Sequence, residues 1–167
     1  MSDVRLRPMR QDEFGPWLEW LTDDYAREIA RNKGIPAASA LEESSEGMKH
    51  LLPRGIDTPS HSLEIAEDGT GDRIGFLWYA REPRGEREIV WLYEVHVDEP
   101  HRGRGYGRRL MELLEERARA AGVGRVALNV YADNAPARSL YESLGYAESA
   151  RQMHKDLDQP GSALRDR

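Results

Sequence analysis

The stretch Ile89-Val90-Trp91-Leu92-Tyr93-Glu94-Val95-His96-Val97-Asp98-Glu99-Pro100-His101-Arg102-Gly103-Arg104-Gly105-Tyr106-Gly107-Arg108-Arg109-Leu110 constrains the fold more than any other. Its first part is rich in β-branched and aromatic residues and reads as a strand. Ile89, Trp91, Tyr93, Val95 and Val97 are apolar, and so are Val90 and Leu92 on the alternate face. Both faces therefore read as buried and the strand as central. Glu94 and His96 follow on the face of Val90 and Leu92, two ionisable groups where the pattern asks for hydrophobes. Pro100 ends the pairing because it has no N–H to donate.

The strand leads through Arg102-Gly103-Arg104-Gly105-Tyr106-Gly107 into a helical pattern with Leu110, Leu113, Leu114, Ala118 and Ala121. Glycines at alternate positions let backbone approach a ligand closely. The first turn of a helix adds amides without intrahelical partners and the positive end of the macrodipole. Strand, glycine-rich turn and helix start thus form a cradle for a phosphate or pyrophosphate, with Arg102, Arg104, Arg108 and Arg109 as mobile positive charge. A helix start that merely needs glycine, or an arginine-glycine segment for RNA, would give the same hexapeptide.

No Walker string G-x-x-x-x-G-K-[ST] occurs, and the spacing G-x-G-x-G past mid-chain is not the dinucleotide fingerprint. The string does fit [QR]-x-x-G-x-[GA], with Arg102, Gly105 and Gly107 in the defining places. After a buried strand it resembles the coenzyme A pyrophosphate loop of the GNAT superfamily of N-acetyltransferases. A second run, Asn134-Ala135-Pro136-Ala137-Arg138-Ser139-Leu140-Tyr141-Glu142-Ser143-Leu144-Gly145-Tyr146, is similar to the family pattern N-x-x-A-x-x-L-Y-x-x-x-G-[FY] at every fixed position. The resemblance covers residues 1 to about 157, with its specific motifs within 89–146.

It implies acetyl-coenzyme A as co-substrate, held by Arg102, Gly103, Arg104, Gly105, Tyr106, Gly107 and Arg108, and by the backbone of Val95, His96 and Val97. It further implies that Asn134 binds the pantetheine arm and that Tyr141 protonates the departing thiolate. Helix capping by Asn134 and Gly145, with Tyr141 as a core aromatic, is the alternative for these three residues.

Amide formation needs a neutral amine, whereas an alkyl ammonium has a pKa of about 10. A base must take that proton, directly or through water. Glu94 is placed where desolvation would raise its pKa to a useful value, and His96 is about 7 Å along the same face. Glu94 is thus the candidate base or water-holder, or else a structural or substrate-orienting carboxylate; His96 is the second candidate. Backbone amides near Val95–Val97 would hold the developing oxyanion, since the family splays its fourth and fifth strands there. Trp17, Trp20 and Tyr25 suit either an acceptor groove or the core, and Asp23, Asp24 and Glu28 either a cationic acceptor or a solvated face.

The rest of the chain supplies a matching frame. A first strand at 4–9 precedes helices at about 16–32 (Leu18, Leu21, Tyr25, Ile29) and 38–52. Strands at 61–67, 73–80 and 89–97, joined by short polar turns, read as an antiparallel meander, and Gly75 suggests a bulge or a close backbone contact. After the helix at 105–121, a strand at 123–131 should lie parallel to the fourth through a right-handed crossover. A helix over 135–144 and two short strands, 146–148 and 152–157, complete it. The expected architecture is α/β (α+β): one GNAT-like domain over 1–158, a mixed, mostly antiparallel sheet of six to seven strands with helices on both faces, and a polar, disordered tail over 159–167.

With 167 residues, 32% charged, no cysteine, and neither an apolar membrane-length run nor a signal peptide at the start, the chain reads as a cytoplasmic domain without disulfides or thiolate metal ligands. The histidines lack metal-ligand spacing, so no metal is expected. A net charge of −6 argues against nucleic acid and suits a cationic acceptor. The resulting expectation is an acetyl-coenzyme A-dependent N-acetyltransferase working by direct transfer in a ternary complex, with no membrane partner and compatible with a homodimer. The amine acceptor stays open, from a polyamine, aminoglycoside or small amine to a protein N-terminus or lysine. An acyl-coenzyme A sensor of the same fold without turnover is the first rival, and an RNA-binding protein using residues 102–109 the second.

Overall fold

A computed structural model describes residues 3–153. It opens with β1 (Val4–Pro8), whose Arg7 settles where the first helix begins. The Arg7 guanidinium donates to both oxygens of Glu13 at 2.7 Å and to Glu67 at 2.6 Å. Glu13 in turn accepts from the Arg10 amide at 2.8 Å, one half of a capping box. α1 (Gln11–Lys33) therefore starts at residue 11 and not at about 16. The acidic first turn of Asp12 and Glu13 suits the macrodipole, and this outweighs the one backbone bond Pro16 cannot donate inside the helix. Gly34, at φ 63°, closes α1.

α2 (Ala37–Leu51) lays Ala40, Ser44 and Met48 inward, and the Ser44 hydroxyl donates to the Thr22 carbonyl of α1 at 2.7 Å. The meander follows as β2 (His61–Asp68), β3 (Arg73–Arg84) and β4 (Arg87–Val97). Then come α3 (Tyr106–Ala120), β5 (Val126–Leu128) and α4 (Ala135–Ser143). The sheet runs β1-β2-β3-β4-β5, antiparallel throughout except for the parallel β4–β5 pair. β5 is shorter than expected because Val123 is spent closing α3, its amide bonding to the Ala118 carbonyl at 2.9 Å.

Two layers cover the sheet. Trp17 and Leu21 of α1 and Met48 of α2 join Leu63, Ile65, Phe76 and Trp78 in one apolar cluster. The ring of Trp17 meets Phe76 and Trp78 edge-on at 5.9 and 5.7 Å, so the core reading of this residue holds. On the other face α3 buries Leu110, Met111, Leu114 and Ala118, and its Arg117 reaches Glu64 of β2 at 2.6 Å.

The chain divides into two compact units, one ending at Tyr131 and the other starting at Ala132. In the second, α4 begins with the Asn134 side chain accepting from the Ala137 amide at 3.2 Å. It ends as Gly145 turns to φ 87°, with the amides of Gly145 and Tyr146 bonded to the carbonyls of Glu142 and Tyr141. That closure uses the Tyr146 amide a ladder would have needed, and the described residues hold five strands rather than six or seven, with none at 146–148. Most of the expected strand at 152–157 and the expected tail lie outside the described residues.

Candidate active site

The chemistry expected of β4 depends on a local irregularity. Trp78 of β3 lies opposite Glu94 and Tyr79 opposite Leu92, so Tyr93 is an extra residue on β4, a β-bulge. The bulge resets the alternation. Glu94 shares the face of Trp78, and His96 that of Phe76, which is the side covered by α1. Strict alternation had put both on the face of Val90 and Leu92; the inserted residue moves them across the sheet. They still share a face with each other.

There Glu94 is half-buried, and its carboxyl is pushed up to about 8, first by desolvation and then by the negative charges of Asp24 and Glu28 on α1. The hydroxyl of Tyr25 on α1, close by, pulls the other way. The Tyr25 hydroxyl donates to the carbonyl of the bulged Tyr93 at 3.0 Å. Tyr25 thus has a polar task as well as its place against the core. Nothing in its helical spacing distinguishes it from the packing residues Leu18 and Leu21.

His96 is placed as an aromatic. Its ring stacks on Phe76 at 5.1 Å and meets Trp20 edge-on at 4.7 Å. Burial holds its pKa below 6.5, with Asp98 opposing that shift, and Arg73 pairs Asp98 at 3.2 Å. Trp20 keeps 37% of its surface exposed beside this ring. Asp24 pairs with Arg27 at 2.8 Å and Glu28 with Arg31 at 3.5 Å, while Asp23 is exposed.

Among the described residues, β4 pairs with β5 only from Val90 to Leu92, opposite Val126 to Leu128. Beyond Leu92 the strand runs on to Val97 with β3 as its ladder partner. The two strands part there, as a splayed pair should. The Asp98 amide donates to Ile74 of β3 at 2.8 Å, so by alternation the Val95 and Val97 amides face the side that β5 has left, and the His96 amide faces β3. Gly75 permits the close approach of β3 here, since a Cβ would stand 2.0 Å from the His96 carbonyl oxygen.

The loop after β4 has the expected form. Gly103 and Gly105 adopt φ 72° and 83°, a conformation costly to any residue with a side chain, and a Cβ on either would meet open space. Gly105 is the N-cap of α3, and no side chain caps that helix, which leaves its amide-rich end suited to an anion. Tyr106, Gly107 and Arg108 form its first turn. Arg102 and Arg104 are exposed, and the Arg102 Nε donates to the Val97 carbonyl at 2.9 Å, tying the loop to the end of β4. Arg109 is not mobile charge: it pairs with Glu112 and Glu116 at 3.4 and 3.0 Å.

A strand that opens at a bulge, a two-glycine turn and an uncapped helix are what the profile of the acetyltransferase (GNAT) family spans in its match to residues 16–146. The chain belongs to the GNAT family of acetyltransferases. The match crosses from the first compact unit into the second. YycN of Bacillus subtilis (strain 168), named an uncharacterized N-acetyltransferase, is 34% identical over 155 residues, covering 92% of this chain and 99% of that protein. The crystal structure of YycN superimposes with a TM-score of 0.87 over 93% of this chain and 99% of that one, at 33% identity. N-alpha-acetyltransferase 40 of Saccharomyces cerevisiae (strain ATCC 204508 / S288c) is 46% identical over 69 residues, 35% of this chain and 23% of that protein.

The second GNAT motif lies on α4. Asn134 is exposed and Tyr141 half-buried, its ring 5.8 Å from that of Tyr146. No residue of α4 is fully buried. Among the described residues no group of His, Cys, Asp or Glu could hold a metal ion, and no helix is long and apolar enough to cross a membrane.

Proposed function

We propose that this chain transfers an acetyl group from acetyl-coenzyme A to a primary amine, directly, within a ternary complex. The observation that carries the reading is Glu94, a desolvated carboxyl on a strand whose next residues turn amides toward an unpaired edge. The turn at Gly103 and Gly105 and the start of α3, with Arg102, Arg104 and Arg108 around them, suit a pyrophosphate. The roles of Asn134 on the pantetheine and Tyr141 on the leaving thiolate come from the family motif they match.

In this reading Glu94 takes a proton from the ammonium group of the acceptor. The freed lone pair attacks the thioester carbonyl, and the Val95 and Val97 amides steady the negative charge gathering on its oxygen. The C–S bond then breaks, the thiolate takes a proton from Tyr141, and the nitrogen gives one up as the amide forms, restoring the phenol. The chain has no cysteine, in keeping with transfer that makes no thioester on the protein. The acceptor is an amine; the relative named N-alpha-acetyltransferase 40 makes a peptide N-terminus one class to test.

Acetyl-coenzyme A should bind by isothermal titration and raise the melting temperature, and Gly105→Glu should abolish both by placing a side chain and a negative charge in the turn. Released thiol measured against an amine panel then separates an enzyme from a sensor, which would bind without turnover. Absence of binding at millimolar coenzyme A would sink the reading. Tyr141→Phe should lower kcat at least about tenfold with affinity and melting temperature nearly unchanged, in line with a general acid.

A further inference from the structure

We propose that Tyr25 is a positioning residue for Glu94, its single hydroxyl proton changing acceptor as Glu94 gains or loses its own. This rests on the reading of Glu94 as the base. The Tyr25 hydroxyl donates to the Tyr93 carbonyl at 3.0 Å, and the charged group that acts on it most strongly is the Glu94 carboxyl, next along β4 and on the face that α1 covers. A phenol carries one proton and two lone pairs. While Glu94 is protonated, its O–H donates to the Tyr25 oxygen, and Tyr25 donates to Tyr93. Once Glu94 is ionised it can only accept, so the Tyr25 proton turns to the carboxylate and the Tyr93 carbonyl is released. No covalent bond breaks in Tyr25; one O–H rotates. A buried phenol whose own ionisation is strongly disfavoured by burial and by Glu94 keeps that proton throughout.

The bulge makes this possible. It puts the Tyr93 carbonyl and the Glu94 side chain within reach of one helical side chain, where regular alternation would have sent Glu94 to the α3 face. The other groups facing this pair are few. α1 contributes Asp24 and Glu28, whose charges oppose ionisation of Glu94. β3 contributes Trp78, which does not titrate, opposite Glu94. His96 on β4 titrates below its ordinary value, away from the range in which Glu94 changes state. Tyr131, past the end of β5, acts on Tyr25 by charge. Tyr25 is thus the group among them that steadies the carboxylate, and a donor to the charged form lowers a carboxyl pKa.

Tyr25→Phe keeps the ring against the core and removes the hydroxyl. The test is a ¹³C NMR titration of the Glu94 carboxyl in the ligand-free protein, assigned by comparison with Glu94→Gln, together with the pH profile of kcat/KM. The titration midpoint should rise by about half a pH unit or more, and the rising limb of the profile by the same amount. The rate at pH 7 then falls about threefold while the alkaline plateau stays near wild type. A folded Tyr25→Phe protein whose Glu94 midpoint does not move overturns the proposal. Should this variant not fold, 3-fluorotyrosine at position 25, a stronger donor, should lower the midpoint, and an unmoved midpoint overturns the proposal equally. A midpoint that moves while the rate profile stays fixed supports the Tyr25–Glu94 coupling and rejects Glu94 as the base.

Discussion

Two glutamates sit in the same sheet, one on each face, and their neighbours give them opposite fates. Glu64 of β2 faces α3, where Arg117 meets one of its oxygens at 2.6 Å and the Tyr79 hydroxyl nearby also favours the charged form. Glu94 of β4 faces α1, where a tyrosine is again present but the charged neighbours are the acids Asp24 and Glu28. Desolvation raises both carboxyls, and at Glu64 the arginine opposes it. Burial alone therefore does not make a carboxylate chemically poised. What separates a structural ion pair from a candidate base here is the sign of the nearest charge.

Neutralising the unpaired member should have the largest effect. Glu94→Gln should lower kcat/KM at least about a hundredfold, the lower end of general-base contributions. It should also stabilise the fold in alkali. The folded pKa stands at about 8 against an ordinary 4.5, so the wild type loses stability as pH rises from the ordinary carboxyl range toward 8. The glutamine variant lacks that loss, and thermal melts at pH 5 and pH 9 should show its advantage only at the higher pH. An equally active variant would leave Glu94 no more functional than Glu64.

Gly75→Ala tests the backbone that carries Glu94 and His96. A Cβ 2.0 Å from the His96 carbonyl oxygen forces the two strands apart, at a cost of about 3 kcal/mol read from urea unfolding. An alanine variant as stable as wild type would mean that this close contact is absent in solution.

Arg117→Met breaks the paired member in turn. It should cost about 2 kcal/mol near pH 8, below the range for fully buried pairs because Arg117 keeps part of its side chain in water. Near pH 5 the cost should shrink, since an unpaired Glu64 can take up a proton there, so denaturant melts at both pH values read the sign. A loss independent of pH would show that Arg117 acts by packing alone. The smallest effect belongs to Tyr79→Phe, at most about 1 kcal/mol for the loss of a polar group near Glu64, with the pH profile of activity unmoved. A shift of that profile would erase the contrast with Tyr25.

How far the sequence led is clearest along residues 89–110. A run of β-branched and aromatic residues, a turn whose glycines need positive φ, and an amphipathic helix are local patterns, and each formed where its spacing placed it. Helix boundaries were less legible where a distant partner intervened. Arg7 on β1 and Glu67 on β2 help set the start of α1 through Glu13, and neither lies within the helix pattern. The strand expected at 146–148 did not form because closure of α4 claims the Tyr146 amide, a competition between two local uses of one donor.

By itself, then, the sequence determined the element order as far as α4, the glycine turn and the two motifs that mark the family, because these depend on residues close together in the chain. It also marked Glu94 as out of place on an apolar strand. Only the tertiary structure decided which face Glu94 occupies and what it meets there. The bulge at Tyr93 exists in the ladder with β3, not in the strand alone, and a single inserted residue reverses every side chain beyond it. Likewise, desolvation and the approach of Tyr25, Asp24 and Glu28 depend on how α1 lies across the sheet. A carboxyl's pKa is set by the charges and dipoles around it in space, and those come from nearly seventy residues away in the chain.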